Sequence, residues 1–262
     1  MPQGAALEIQ IAVASCGDSL SEWVPRAPLS ENEIQVWHAS TRNGGADLNY
    51  LRGWLADDEI CRAERFRFAK DRDQFITSRG LLRILLGSYT GAGPRGIQFE
   101  YSGHGKPALA PDFGDKRVCF NVAHSGERVV LAFTHGRRIG IDIEKIRHDF
   151  DTRQIAERFF SIAERECLRQ LSVEQQREAF FRCWTRKEAF VKATGDGLSL
   201  PLSQFDVAFA PGEPARLIQT RPVAAEARHW FMEELSIHPD YAGAIVAELR
   251  PAASQNSKLR IQ

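Results

Sequence analysis

Apolar and polar positions along the chain fall into two periods. Period-two or β-rich runs occur at Glu8–Ala14, Ile34–His38, Val118–Val122, Val129–Phe133, Ile139–Glu144, Phe205–Phe209, Arg228–Leu235 and Gly243–Leu249, and these predict strands. Thr134-His135-Gly136-Arg137 reads as a turn between two of them. Helical spacing covers Asp57–Phe68, Asp71–Leu86, Thr152–Phe160, Ile162–Leu171 and Glu174–Thr194. Gly87 and Gly195 follow two of these helices, where a left-handed C-cap is expected. Strands and helices mix without regular βαβ alternation, which predicts an α+β fold. The two halves also resemble each other. Each has a helical pair containing a cysteine, then an aromatic-rich helix ending at glycine: Cys61, Phe75 and Gly87 in the first, Cys167, Phe181 and Gly195 in the second. From these few matches a duplicated α+β unit, joined near Gly136–Arg138, is one reading. Its expected parts are residues 1–137, residues 138–250 and a polar tail at 251–262.

Composition narrows the class. The chain has 262 residues, 43% hydrophobic and 26% charged, with 34 basic and 34 acidic side chains. That is an ordinary globular composition with enough length for a sizeable core. Zero net charge argues against a general nucleic-acid binder but allows a local basic pocket. The five cysteines are odd in number, widely spaced and without a C-x-x-C pair. A reducing cytoplasm therefore suits the chain better than a disulfide framework or a zinc site. Val13-Ala14-Ser15-Cys16 looks like a lipoprotein cleavage box, but no Lys or Arg precedes it and Glu8 and Gln10 interrupt the apolar run. No apolar run approaches the roughly 20 residues that span a bilayer.

Four short segments carry possible chemistry. In Gly140-Ile141-Asp142-Ile143-Glu144, strand alternation puts Asp142 and Glu144 on one face and the isoleucines on the other. Two adjacent carboxylates suit either a wet strand edge or a hard cation. In Trp184-Thr185-Arg186-Lys187-Glu188-Ala189-Phe190-Val191-Lys192, the residues Phe181, Trp184, Glu188, Val191 and Lys192 share one helical stripe. Glu188 is then either half of a surface pair with Lys192 or a carboxylate that needs a partner or a metal. Gly103-His104-Gly105-Lys106-Pro107 fails as a P-loop, because Glu100 and Pro107 stand where Gly and Ser/Thr are required. It is an ordinary turn or a fixed lysine facing a phosphate. Phe120-Asn121-Val122-Ala123-His124-Ser125-Gly126 is not a hydrolase elbow, since Ala123 and Glu127 replace the glycines. His124 is structural or binds phosphate.

The order of these segments is more specific than any one of them. A fixed lysine, N-x-x-H-S, G-I-D-I-E and W-x-x-K-E-A-x-x-K, together with Arg158-Phe159-Phe160-Ser161 and Gly195–Pro201, resemble the 4′-phosphopantetheinyl transferases. The resemblance runs from Asp57 to Leu202 and is nearest to the large two-lobed type that serves peptide and polyketide synthetases. It implies a pseudo-dimer of two similar α+β lobes with coenzyme A held between them. It also implies magnesium-dependent transfer of the phosphopantetheine arm to a serine of an apo acyl or peptidyl carrier protein, releasing adenosine 3′,5′-bisphosphate. Such a protein is expected to be a cytoplasmic monomer that uses neither nucleic acid nor membrane.

The resemblance assigns roles residue by residue. Asp142, Glu144 and Glu188 fall on the metal-binding acids, with Glu188 also the general base. Lys187 and Lys192 fall on lysines near the pyrophosphate. Lys106 falls at the adenine and ribose-phosphate end, and His124 on the histidine at the 3′-phosphate. Arg62 falls near a basic residue of the same pocket, with Arg79 and Arg83 as further basic candidates. The family usually reads S-H-S where this chain has Ala123-His124-Ser125, which implies one lost phosphate hydrogen bond and weaker coenzyme A binding. A coenzyme A or carrier binder without turnover is the alternative; it would not require Glu188. A nucleotide pyrophosphatase would need a denser acidic cluster.

Overall fold

The computed structural model describes residues 8–13, 29–41, 45–111, 113, 117–149, 151–221 and 224–249. Ala14, Ser15, Cys16 and the expected tail from Pro251 lie outside them. In the first lobe, β1 (Glu8–Val13), β2 (Glu33–Ser40), β5 (Val118–Ser125) and β6 (Arg128–His135) form a sheet of order β1-β2-β6-β5. β1 is parallel to β2 and the other pairs are antiparallel. The helices α1 (Gly45–Gly53), α2 (Asp57–Glu64) and α3 (Ala69–Thr90) belong to this lobe, as does a small hairpin of β3 (Phe99–Tyr101) and β4 (Pro107–Leu109). Leu81, Leu82, Leu85 and Leu86 of α3 are buried in one cluster with Phe120 and Phe133 of the sheet.

The second lobe repeats the plan. Strand β7 (Ile139–Lys145) is followed by α4 (Thr152–Phe159), α5 (Ile162–Gln170) and α6 (Val173–Thr194). Then come the hairpin β8 (Phe205–Val207) and β9 (Leu217–Thr220), and strands β10 (Trp230–Glu234) and β11 (Tyr241–Glu248). The sheet order is β10-β11-β7, all antiparallel. Its core is aromatic: Phe160, Phe180, Phe181, Phe190, Phe205 and Trp230 are buried together. The two long helices match closely. Each has 22 residues and ends on a left-handed glycine, Gly91 at φ 72° and Gly195 at φ 83°.

A third cluster joins the lobes. Ile139, Ile141 and Ile143 of β7 pack with Ile34 and Val36 of β2, Ala123 of β5, and Val130 and Ala132 of β6. The apolar face of the I-G-I-D-I-E strand is therefore the seam between the halves. Its opposite face meets α6. A Cβ on Gly140 would overlap the carbonyl oxygen of Ala189 and the amide nitrogen of Ala193, so only glycine lets helix and strand approach so closely.

Expectation and structure differ at several points. Gly87 does not cap a helix; α3 continues to Thr90, and the chain beyond folds back so that a Gly87 Cβ would lie 2.9 Å from the Ala92 carbonyl oxygen. α2 stops at Glu64 instead of Phe68, with Arg65 as its C-cap. Sequence periodicity gave no signal for α1, β3, β4 or β9, whose runs are too short or too polar to show one.

Candidate active site

The contact of α6 with β7 brings the acidic strand face against one turn of the helix. Asp142 is 5% exposed, and its Oδ1 lies 2.7 Å from Lys192 Nζ. Lys192 Nζ also donates to the Ile141 carbonyl at 3.3 Å. The second oxygen, Asp142 Oδ2, is buried without a hydrogen-bond partner. Burial drives the Asp142 carboxyl up to about 7; Lys192 moderates the rise, and Glu144 and Glu188 add to it. Glu188 is half-buried and also raised, first by burial and further by Glu144, against the pull of Lys192. Glu144 Oε2 accepts a hydrogen bond from Ser125 Oγ at 2.7 Å.

The three acids thus share one electrostatic neighbourhood. Among the described residues, no three His, Cys, Asp or Glu side chains are already gathered tightly enough to hold an ion. Lys192 stands on Asp142 in that place. The donor chemistry still fits a hard cation: three carboxylates, one with an orphaned buried oxygen, and no sulfur or imidazole in the set.

Glu188 and Lys192 open onto a cavity of about 960 Å³ that is also lined by Lys106, Asn121, Phe159 and Trp184, among others. A second cavity of about 410 Å³, lined by Arg62, Phe75, Arg79 and His124, shares Pro107 and Val122 with the first. The two adjoin as one groove, with Arg62, Arg79 and His124 in the smaller part and Glu188 among Lys106, Arg158 and Lys192 in the larger. His124 is exposed at the groove, and its pKa is lowered by desolvation first and then by the Lys192 charge. Arg62 is exposed, with its guanidinium 5.1 Å from the centre of the Phe75 ring. Arg79 is buried; it donates to Tyr101 Oη at 3.2 Å and pairs with Glu59 at 3.3 Å, and its Nη1 has no partner. Lys106 Nζ donates to the Ile139 carbonyl at 3.0 Å and the Lys192 carbonyl at 2.5 Å, and burial lowers its pKa to about 8. It reaches from the β3–β4 turn across to α6 and β7.

Three expectations need correction. Lys187 does not face the groove. It is fully buried in the second lobe, 2.8 Å from Glu164 Oε2, and donates to the carbonyls of Leu202 and Phe205 at 2.7 and 2.6 Å. One residue before Glu188, and so about 100° round the helix, its side chain leaves on the core side, whereas Glu188 faces the groove. Arg83 is likewise structural: it is 2.6 Å from Glu59 and donates to the carbonyls of Pro94, Arg95 and Ile97. Ala123 is 3% exposed in the seam, on the strand face opposite His124. Ala123 lines neither part of the groove, so the structure gives the expected loss of a phosphate bond no support.

Sequence reasoning also passed over three residues. Asn121 Oδ1 accepts from Ile141 N at 2.8 Å, Ser125 Oγ holds Glu144, and Gly140 sets the helix–strand distance. Period-two alternation already put Asn121, Ala123 and Ser125 on one face of β5, which is the signal that was available.

Comparison with known proteins bears on the family of the chain. The family model described as 4′-phosphopantetheinyl transferase, N-terminal, matches residues 37–136, and that of the 4′-phosphopantetheinyl transferase superfamily matches residues 138–246. The chain is 40% identical over 216 residues to the 4′-phosphopantetheinyl transferase HetI of Nostoc, covering 81% of this chain and 88% of HetI. It is 33% identical to the 4′-phosphopantetheinyl transferase psf-1 of Bacillus pumilus, covering 86% of this chain and 92% of psf-1. A holo-[acyl-carrier-protein] synthase structure from Thermotoga maritima aligns with 43% of this chain and 63% of its own, at 21% identity and a TM-score of 0.36. With two lobes each matched by a transferase model and relatives aligned along most of their length, the chain belongs to the 4′-phosphopantetheinyl transferase superfamily of enzymes.

Proposed function

We propose that this enzyme transfers the 4′-phosphopantetheine arm of coenzyme A to a serine of an apo acyl or peptidyl carrier protein, with magnesium, and releases adenosine 3′,5′-bisphosphate. The observation that carries this reading is the groove itself: Arg62 and His124 in its smaller part, and in its larger part Glu188 with Lys192, whose Nζ pairs with Asp142. Residues 1–137 and 138–250 then act as the two lobes that flank the substrate.

The nucleotide end of coenzyme A lies along the smaller cavity, where Arg62 and His124 meet the 3′-phosphate, with Lys106 in the larger cavity next to the shared Pro107. The pantetheine arm occupies the larger cavity, whose walls include Phe159, Trp184 and Leu200. Magnesium held by Asp142, Glu144 and Glu188 would neutralise charge on the leaving pyrophosphate oxygen. Lys192 presents a cation to the same phosphates. Glu188, whose burial keeps it more basic than a free carboxylate, takes the proton of the carrier serine. The serine oxygen bonds to the phosphorus bearing the arm as the bridging P–O bond breaks. The nucleophile comes from the partner, so the chain needs no activated Ser or Cys of its own.

Nucleotide release tests this reading. Incubation with coenzyme A, magnesium and an apo carrier should yield one adenosine 3′,5′-bisphosphate per arm transferred. Glu188→Gln should slow that release at least a hundredfold while still binding coenzyme A. Equal turnover by the variant would remove Glu188 from its role.

A further inference from the structure

Strands β5 and β7 lie side by side at the lobe seam but belong to different sheets. Side chains of β5 take the place of a backbone ladder. Asn121 Oδ1 accepts from Ile141 N at 2.8 Å, and Ser125 Oγ accepts from Lys145 N at 3.0 Å. The two bonds are four residues, or two strand repeats, apart and bracket Asp142 and Glu144. Ser125 does more than span the seam. A serine hydroxyl has one proton and two acceptor positions. Its proton goes to Glu144 Oε2 at 2.7 Å while its lone pair receives the Lys145 amide, so the rotor is fixed from both sides.

We infer that Ser125 is a positioning residue that holds the Glu144 carboxylate in its metal-ready orientation by hydrogen bonding from the neighbouring lobe. The inference rests on the proposed role of Glu144 as a metal ligand. Glu144 is half-buried at the end of a strand, where a carboxylate would otherwise sample several rotamers. With Oε2 held by Ser125, Oε1 is left for the cation. Outer hydrogen bonds of this kind orient metal-binding carboxylates, and their loss costs about 10–100-fold in metal affinity. The contact also makes one lobe's strand responsible for the metal acid on the other.

The test uses the full chain with Ser125→Ala and Ser125→Thr. Ser125→Ala should raise the magnesium concentration for half-maximal transfer about tenfold, with KM for coenzyme A within about twofold of the original. Ser125→Thr keeps the hydroxyl and should restore the original magnesium dependence. Manganese binding followed by electron paramagnetic resonance, with coenzyme A present and no carrier, should show the same shift without relying on turnover. Should Ser125→Ala not fold, Ser125→Cys, with similar size and a weaker donor, is read in the same way. Unchanged manganese affinity in the Ala or Cys variant would overturn the role of Ser125. If the unaltered chain with coenzyme A bound no manganese, it is the metal-holding role of Glu144 that would fall, and the inference with it.

Discussion

Lys192 Nζ sits 2.7 Å from Asp142 Oδ1, across a helix–strand contact that only Gly140 permits. The ammonium offsets part of the cost of a buried carboxylate whose other oxygen has no partner. Removing the cation should therefore expose that cost. Lys192→Met should lower stability by about 1–3 kcal/mol, below the range for a fully buried pair because Lys192 is 30% exposed. Adding Asp142→Asn should recover much of the loss without recovering transfer. Urea denaturation of both single variants and the double variant, at one pH above neutrality, measures this. An Asp142→Asn change that gave no recovery would show that the pair does not act as a unit.

Gly140→Ala probes the same contact through the backbone. The new methyl would overlap main-chain atoms of Ala189 and Ala193, which cannot turn aside as a side chain can. Helix α6 must shift, at a cost of about 1–3 kcal/mol or more. Glu188 and Lys192 would move with it, so transfer should fall further than the folded fraction does. Parallel thermal melts and transfer rates decide; an active, fully stable variant would contradict the packing described.

His124 gives a pH dependence of known sign. Its pKa in the free enzyme is below the usual histidine value, because of desolvation and the Lys192 charge. A phosphate beside the ring favours the protonated form, so the bound complex has the higher pKa and binding takes up a proton. Affinity for coenzyme A should rise as pH falls from about 8 to about 6, beyond any change shown by His124→Gln. Titration calorimetry on both proteins separates the histidine from the ligand's own phosphate. A constant ratio of the two affinities across that range would place the 3′-phosphate elsewhere.

The fate of Lys187 was not legible in its segment. It lies beside Glu188 in the sequence, yet it is buried against Glu164, the glutamate whose Oε2 also caps α5 through Ser161 N at 2.9 Å. Lys187→Met should destabilise the protein by about 3 kcal/mol, because Glu164 would keep a buried charge with backbone donors but no cation to balance it. KM for coenzyme A in the folded protein should stay unchanged. A raised KM at undiminished stability would return Lys187 to the groove.

The first lobe explains why such a lysine is needed. Glu59, capping α2 through Ala56 N at 3.0 Å, is bound by Arg83 of α3 just as Glu164 is by Lys187 of α6. Arg83 and Lys187 each stand eight residues before the glycine that caps their helix, Gly91 or Gly195. The sequence repeat was visible in the cysteines and aromatics, but pairing Gly87 with Gly195 put it four residues out of register and hid this match. Strands were legible where alternation was strong, as in Ile139–Glu144, whose apolar face does pack in the core. What alternation could not reveal was the depth of each charge. Lys187, Lys192 and Lys106 look alike in sequence, and only tertiary packing shows one in the core, one on an acid and one bonded to main-chain carbonyls. Ala123 is the converse: a departure from the family pattern that lies in the seam and lines neither part of the groove.

Intact-mass spectrometry of an apo carrier protein, incubated with this enzyme, coenzyme A and magnesium beside an EDTA-treated control, addresses the central claim most directly. The expected result is a carrier heavier by one phosphopantetheine arm, with no gain under EDTA. An unmodified mass on several acyl and peptidyl carriers, with coenzyme A shown to bind, would contradict the proposed transfer; a gain that persisted under EDTA would contradict the role given to Asp142, Glu144 and Glu188.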